Sequence, residues 1–296
     1  MAKKVICFGE VLWDVFPTHQ KIGGAPLNVA LRLNSLGIET AIASQVGEDD
    51  LGDKLLSFIN KESVSSLLVQ KSKTYPTGQV NVVLDDKGAA SYEIAHPAAW
   101  DKINIEKTLL DSVKTTPFFL FGSLIARDNV SKETLFKLLE NAQFKIFDVN
   151  LRPPHYDYAL LMELMTQADF IKFNEDELLE ICSYYKGPKA GIKEQLLFIS
   201  HKTNTQQLCV TLGEEGALLY DHGEWVSQQG FAIKVADTVG AGDSFLATLV
   251  AGLISNRPLA ERLQHACAMG AIVASKKGAN PVIPERELLD FIKSSL

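Results

Sequence analysis

Short apolar runs that indicate β-strands alternate with longer helical patterns along most of this 296-residue chain, and this alternation restricts the fold more than any other feature. The first run, residues 5–9, precedes a helical pattern at 26–36, and a second run at 40–46 precedes one at 50–61. Four later runs predict further strands, each followed by a helical pattern: residues 118–121, 144–149, 170–173 and 207–211. Such a succession predicts a three-layer α/β fold with a mostly parallel central sheet between helices.

Two long helical patterns close the chain, at residues 243–255 and 259–275. They consist almost entirely of apolar and small residues, so both are expected to lie deep in the fold. No repeat or linker marks a second independent unit, so we expect one domain over residues 1–296.

Residues 77–92 break the strand–helix rhythm, because their apolar residues alternate with a period of two around an acidic turn at 85–88. This pattern predicts a β-hairpin, which has no place in a succession of parallel strands. We therefore expect a small β-sheet lid, contributed by about residues 11–22 and 75–100. Its open edges would favour a homodimer formed through the lid.

Charge and composition exclude several classes of protein. The chain carries 29 Lys and Arg against 36 Asp and Glu, a net charge of −7 with no basic block, so a nucleic-acid partner is not expected. The longest uncharged apolar stretch, residues 244–256, is too short to span a membrane. The four cysteines are widely spaced in apolar runs, which predicts buried free thiols and a cytoplasmic protein.

The most informative segment is a run of small residues that leads directly into an apolar helical pattern. It reads Asp237-Thr238-Val239-Gly240-Ala241-Gly242-Asp243. Small residues at 240–242 allow a tight turn whose N–H groups, with the helix dipole, form an anion site. A carboxylate there would repel the anion, unless Asp243 accepts a proton from a hydroxyl that attacks a phosphoryl group. The alternative is a glycine turn with Asp243 as the helix N-cap.

A second glycine-rich segment precedes the first long helical pattern. Gly23 and Gly24 permit close approach of the backbone to a ligand, and Asn28 lies in the first helical turn beyond them. Upstream, Gly9 and Glu10 end the first strand with Asp14 close behind, a position where parallel sheets bind ligands. The alternatives are an ordinary loop before a capped helix and a solvated aspartate.

Together the two segments resemble the ribokinase-like, or PfkB, carbohydrate kinases. The C-terminal pattern of that family is matched in full at residues 237–243. Its N-terminal pattern is matched by Gly23, Gly24, Asn28, Ala30, Gly37 and Gly47. The resemblance extends over the whole chain and implies the ribokinase-like fold, ATP and Mg²⁺ as cofactors, and a K⁺ ion as a further candidate.

The resemblance also implies roles for individual residues near the phosphates. Asp243 would activate the sugar hydroxyl, with the N–H groups of Gly240, Ala241 and Gly242 stabilising the transferring phosphoryl group. Residues Asn174 and Glu177 would organise Mg²⁺ through water molecules. The residues that it places around the nucleotide are Thr211, Gly213, Gly216, Gly242 and Gly278. Asp237 would contribute to a monovalent-cation site.

The sugar would be held by Asp14, Gly24 and Asn28, since hydroxyl groups require polar partners. The runs Gly122-Ser123-Leu124 and Asp148-Val149-Asn150-Leu151-Arg152-Pro153 resemble the bacterial fructokinase branch. Arg152 would contact the transferring phosphate or orient a sugar hydroxyl, or else pair structurally with Asp148. The implied reaction converts D-fructose to fructose 6-phosphate with ATP. The alternatives are a ribokinase, a 2-keto-3-deoxygluconate kinase, a nucleoside kinase, and a sugar sensor that binds without transfer.

Overall fold

A computed structural model describes residues 4–84 and 90–294. The described part of the chain contains thirteen strands: β1 (Lys4–Phe8), β2 (Leu12–Val15), β3 (Gln20–Gly23), β4 (Glu39–Gly47), β5 (Ser65–Ser72), β6 (Gly78–Leu84), β7 (Ala90–Ile94), β8 (Phe118–Gly122), β9 (Phe144–Asp148), β10 (Phe170–Asn174), β11 (Gln207–Thr211), β12 (Ala217–Asp221) and β13 (Glu224–Gln228). It also contains ten α-helices: α1 (Ala25–Ser35), α2 (Asp50–Lys61), α3 (Lys107–Thr115), α4 (Asn129–Leu139), α5 (Tyr158–Gln167), α6 (Glu175–Tyr184), α7 (Ile192–Thr203), α8 (Ala241–Ile254), α9 (Leu259–Ala274) and α10 (Glu285–Ser294).

The larger sheet has nine strands in the order β13-β12-β11-β10-β9-β8-β1-β4-β5. From β11 to β5, every pair of neighbouring strands is parallel. Strand β12, in contrast, pairs antiparallel with both β11 and β13. The expectation that a helix follows residues 207–211 is therefore wrong. Only residues 212–216 separate β11 from β12. A parallel crossover needs a dozen residues or more, so this connection permits only a hairpin.

Apolar side chains fill both faces of the large sheet, as the runs of consecutive apolar residues predict. In β1, Phe8 packs on the face covered by α3 to α7, and Cys7 on the face covered by α1, α2, α8 and α9. All four cysteines are free and buried, which confirms their prediction. Helix α8 is buried along nearly its whole length. Helix α9 is not, since its first turn lies at the surface and only its later turns are deep.

A separate four-stranded sheet, here called the lid sheet, has the order β3-β2-β6-β7. The two strands expected within residues 77–92 are present as β6 and β7, which pair antiparallel, and β2 pairs in parallel with β6. The acidic turn at 85–88 lies outside the described residues. Since β2 and β3 follow β1 directly, the lid sheet stands next to the carboxyl end of β1.

In the described ranges, none of the helices has the length and apolar character needed to cross a membrane.

Candidate functional site

The candidate residues gather at one edge of the large sheet. Strands β1, β8, β9, β10 and β11 are parallel neighbours, so their carboxyl ends meet there. Those ends carry the polar residues Glu10, Ser123, Asp148, Asn174 and Thr211. Because β1 has β4 on one side and β8 on the other, the chain reverses its direction of travel across the sheet at β1. Ligands of open α/β sheets bind at such a point.

The two glycine-rich segments meet at this edge. Asn28 on α1 donates a hydrogen bond from Nδ2 to Oδ2 of Asp243 on α8, at 2.8 Å. Asn280, in the loop after α9, donates from its own Nδ2 to Asn28 Oδ1 at 2.7 Å. The structure thus brings together residues 28 and 243, which the sequence assigned to one site. Asn280 was not expected there, because no local pattern marks it.

Asp243 is not the N-cap of α8. The cap is Gly240, and α8 begins at Ala241, so Asp243 lies in the first helical turn with its side chain bonded to another helix. Burial and the nearby Asp148 carboxylate raise the pKa of Asp243 to about 6, although Asn28, Lys172 and Arg152 act in the opposite direction. The carboxyl group is therefore mostly ionised at neutral pH and holds a proton more readily than an ordinary aspartate.

The turn before α8 leaves backbone donors free. Gly240 has φ +77°. A Cβ on it would lie 2.5 Å from the Ala279 carbonyl oxygen, so only glycine fits. The N–H of Ala241 donates to the Thr238 carbonyl at 3.2 Å, contrary to the expectation that Ala241 faces an anion. Within the described ranges, the N–H groups of Gly240 and Gly242 have no hydrogen-bond partner.

A buried lysine, which sequence reasoning missed, stands beside this turn. Lys172 Nζ forms an ion pair with Asp148 Oδ1 at 3.1 Å, and both side chains are buried. Nζ lies 3.7 Å from the position that a Cβ on Gly242 would occupy. Burial acts to lower the pKa of Lys172, but the Asp148 and Glu177 carboxylates outweigh it and raise the pKa above its ordinary value. A lone lysine within an otherwise apolar strand was the available signal.

Arg152 does not pair with Asp148, whose partner is Lys172. The Nη1 atom of Arg152 donates to the Leu151 carbonyl at 2.9 Å. Burial raises the pKa of the Asp14 and Asp243 carboxyl groups, and the charge of Arg152 opposes that rise in both. The guanidinium group therefore stands within electrostatic reach of both predicted segments. The structural alternative proposed for Arg152 from sequence is wrong.

The carboxyl groups of β2 and of the end of β1 line the same region. Asp14 on β2 lies against Gly23, because a Cβ added to Gly23 would lie only 2.5 Å from Oδ2 of Asp14. Burial raises the pKa of Asp14, partly offset by Lys21 and Arg152. Gly24 has φ +112° and its Cα faces the Glu10 carbonyl, so no side chain fits there.

Glu10 is buried beside the pocket at the ends of β1, β8 and β9. Its Oε1 accepts the N–H of Ala25 at 3.2 Å, whereas Oε2 has no hydrogen-bond partner among the described residues. Burial raises the pKa of Glu10 to about 7. The sequence marked this residue only as the acidic end of a strand, without a role.

Asn174 and Glu177 form a capping box at the start of α6. Asn174 Oδ1 accepts the N–H of Glu177, and Glu177 Oε2 accepts the N–H of Asn174, both at 2.8 Å. Glu177 Oε1 accepts the N–H of Leu151 at 2.9 Å. Each of these oxygens keeps a second lone pair, with which it can accept a hydrogen bond from a water molecule bound to a metal. No cluster of three or more His, Cys, Asp or Glu able to hold a metal occurs in the described residues.

Two further loops complete this edge. Asp237 accepts the N–H of Val239 at Oδ1 and that of Gly278 at Oδ2, each at 3.1 Å, and so joins the turn before α8 to the loop after α9. Thr211 ends β11, and the connection from there to β12 passes through Gly213 and Gly216. The sequence-predicted residues therefore lie at the ends of neighbouring strands, in the loops after them and after α9, on the lid strand β2 and in the first turns of α1, α6 and α8.

Comparison with known proteins matches a family model described as pfkB family carbohydrate kinase to residues 2–286. A probable fructokinase-2 of Arabidopsis thaliana is 28% identical over 98% of this chain and 95% of its own length. A fructokinase from Xylella fastidiosa with bound ATP superimposes with a TM-score of 0.88 at 24% identity, covering 99% of both chains. A Vibrio cholerae fructokinase double mutant, described with fructose, ADP and potassium bound, has a TM-score of 0.84 at 24% identity over 98% of both chains. These structures share the ribokinase-like α/β fold, and because the family model spans nearly the whole sequence, the chain belongs to the pfkB family of carbohydrate kinases.

Proposed function

We propose that this protein transfers the γ-phosphoryl group of ATP to D-fructose and forms fructose 6-phosphate and ADP. The observation that carries the proposal is the Asn28–Asp243 pair, a carboxyl group with a pKa of about 6 held beside the free N–H groups that begin α8. A proton acceptor next to an anion site suits attack by a hydroxyl on a phosphoryl group. The relatives named fructokinase, and the neighbours described with ATP or fructose, support the choice of substrates.

Asp243 would take the hydroxyl proton as the sugar oxygen forms its bond to the γ-phosphorus and the bond to ADP breaks. The free N–H groups of Gly240 and Gly242 and the positive end of α8 would stabilise the charge on the phosphoryl oxygens. We assign no such role to Ala241, because Thr238 accepts its N–H. Lys172 adds positive charge beside the turn, where it faces the carboxylates of Asp148, Glu177 and Asp243.

The sugar would lie between the lid sheet and α1. Asp14 would accept hydrogen bonds from sugar hydroxyls, Asn28 would donate one, and Gly24 would let the ring approach the backbone. Arg152 would orient the reacting hydroxyl or contact the transferring phosphate, because its charge reaches both Asp14 and Asp243. Each of these groups offers the polar partners that a sugar requires.

The nucleotide would occupy the neighbouring loops, at Thr211, Gly213, Gly216 and Gly278. Mg²⁺ bound with ATP would neutralise phosphate charge. Asn174 and Glu177 would hold its water molecules, since their oxygens retain free lone pairs. Asp237 would contribute to a K⁺ site, where it already joins the two loops that would enclose the ion.

A coupled ATP-consumption assay across fructose, ribose, 2-keto-3-deoxygluconate and nucleosides tests the proposal. We expect the highest kcat/KM with fructose, and phosphorus NMR of the product should place the phosphate on the 6-position. A higher kcat/KM with another acceptor would overturn fructose as the substrate. Sugar binding without any ATP consumption would overturn the kinase reaction and favour a sensor.

A further inference from the structure

Three polar side chains from distant parts of the sequence form one hydrogen-bonded chain through the site. Asn280 Nδ2 donates to Asn28 Oδ1 at 2.7 Å, and Asn28 Nδ2 donates to Asp243 Oδ2 at 2.8 Å. Residue 28 is 252 positions from residue 280 and 215 from residue 243, so only the tertiary fold brings them together. Asn28 is itself 6% exposed.

The Asp243 carboxylate sets the donor and acceptor direction of this hydrogen-bonded series. An ionised aspartate can only accept hydrogen bonds, so Asn28 must present its NH₂ group to Asp243. Its carbonyl oxygen then faces Asn280, which must present an NH₂ group in turn. If Asn28 were rotated by 180°, its oxygen would face Asp243 and its NH₂ group would face that of Asn280, and both contacts would be repulsive.

Contacts on either side fix the backbone that carries Asn280. On one side, Asp237 accepts the N–H of Gly278 at 3.1 Å. On the other, Arg32 Nη2 donates to the Pro281 carbonyl at 2.9 Å, while its Nε donates to Ser244 Oγ at 3.2 Å. Arg32 thus connects the loop that carries Asn280 to Ser244, the residue after Asp243. The two ends of the hydrogen-bonded series, Asn280 and Asp243, are therefore held at a fixed distance from each other.

We propose that Asn280 is a positioning residue for phosphoryl transfer, which orients the Asn28 amide so that Asp243 Oδ2 is occupied and Oδ1 receives the sugar proton. The inference rests on the proposed function, because it assigns a role in that reaction. Asn28 would direct its second amide N–H to the sugar. Asn280 itself would touch neither the sugar nor the phosphate.

Loss of the Asn28 hydrogen bond should raise the pKa of Asp243, because that bond stabilises the ionised form. Other charged groups act on the same carboxyl group from neighbouring elements. They are Asp148 on β9, Lys172 on β10, Arg152 in the loop after β9, and Glu10 at the end of β1. None of them changes in Asn280→Ala or Asn280→Ser, which add no charge, so a shift of the kcat pH profile in these two variants would report on the Asn28 bond.

The test compares Asn280→Ala, Asn280→Ser and Asn280→Asp with wild type and with Val282→Ala, an exposed control in the same loop. For Asn280→Ala we expect kcat to fall about tenfold and the acid limb of its pH profile to move up by about half a pH unit or more. Asn280→Asp should be worse, by about a hundredfold, because its carboxylate repels Asn28 Oδ1 and favours the rotated amide. Asn280→Ser provides a second variant if the alanine variant folds poorly.

Calorimetric titration with fructose separates positioning from binding, since the Kd should stay within about threefold of wild type while kcat falls. An unchanged kcat and pH profile in folded Asn280→Ala or Asn280→Ser would overturn the inference. So would Asn280→Asp with wild-type activity. If the wild type prefers another sugar, fructose fails as the substrate, and the same variants are compared with the preferred sugar.

Discussion

Replacing Lys172 by methionine should destabilise the protein more than any surface substitution, because it breaks an ion pair in the interior. The side chains of Lys172 and Asp148 are only 7% and 5% exposed, and their charged atoms lie 3.1 Å apart. Removing one partner of such a pair leaves the other charge buried, at a typical cost of about 3–5 kcal/mol. That is a large share of the roughly 5–15 kcal/mol that stabilises an ordinary folded protein.

Urea denaturation measures this loss, and two further variants identify its cause. The double variant Lys172→Met/Asp148→Asn removes both charges, so its free energy of unfolding should recover to within about 1–2 kcal/mol of wild type. Lys4→Met breaks an ion pair of 2.9 Å whose side chains are 49% and 59% exposed, and should leave stability unchanged. A single variant Lys172→Met as stable as wild type would show that the buried ion pair does not stabilise the fold, as would a double variant no more stable than the single one.

Three other predictions concern activity and closure. The kcat of the wild type should fall as pH decreases through about 6, because the Asp243 carboxylate, whose pKa is raised by burial, is protonated there. An acid limb near pH 4 would mean that the reacting base has the pKa of an ordinary, exposed aspartate. Asn174→Ala and Glu177→Ala should each raise the Mg²⁺ concentration required for half-maximal rate by about 10–100-fold without weakening fructose binding; unchanged Mg²⁺ titrations would leave them as helix-capping residues only. Amide hydrogen exchange across the described lid strands β6 and β7 should slow when fructose saturates the protein, because a closed lid would exclude water from the phosphates. Equal exchange with and without fructose would mean that the lid sheet does not close.

The sequence predicted the parts of the fold that depend on local pattern. Apolar runs located six of the seven strands that pair in parallel in the large sheet but missed β5, and the change of period at residues 77–92 located the antiparallel strands β6 and β7 of the lid sheet. It failed after β11, where a strand hairpin stands in place of a helix. There the five connecting residues, 212–216, were a better indicator than the apolar pattern.

For the site, the predictable residues were those in motifs that restrict the backbone. Gly24 and Gly240 adopt positive φ angles against neighbouring backbone, so their positions could be read from sequence. Lys172 and Asn280 could not be placed in that way. Lys172 was visible as a lysine within an apolar strand, but its role depends on which strands are neighbours. The role of Asn280 depends on a contact across 252 residues, which leaves no local pattern.

The most direct test of Asp243 as the general base is single-turnover phosphoryl transfer by Asp243→Asn, which keeps the shape of the side chain and removes the base. The rate should fall by about 10²–10⁴-fold, the usual effect of losing a general base. Fructose affinity, measured by calorimetry, should remain near that of wild type. A variant that retains more than about a tenth of the wild-type rate would show that Asp243 is not the base.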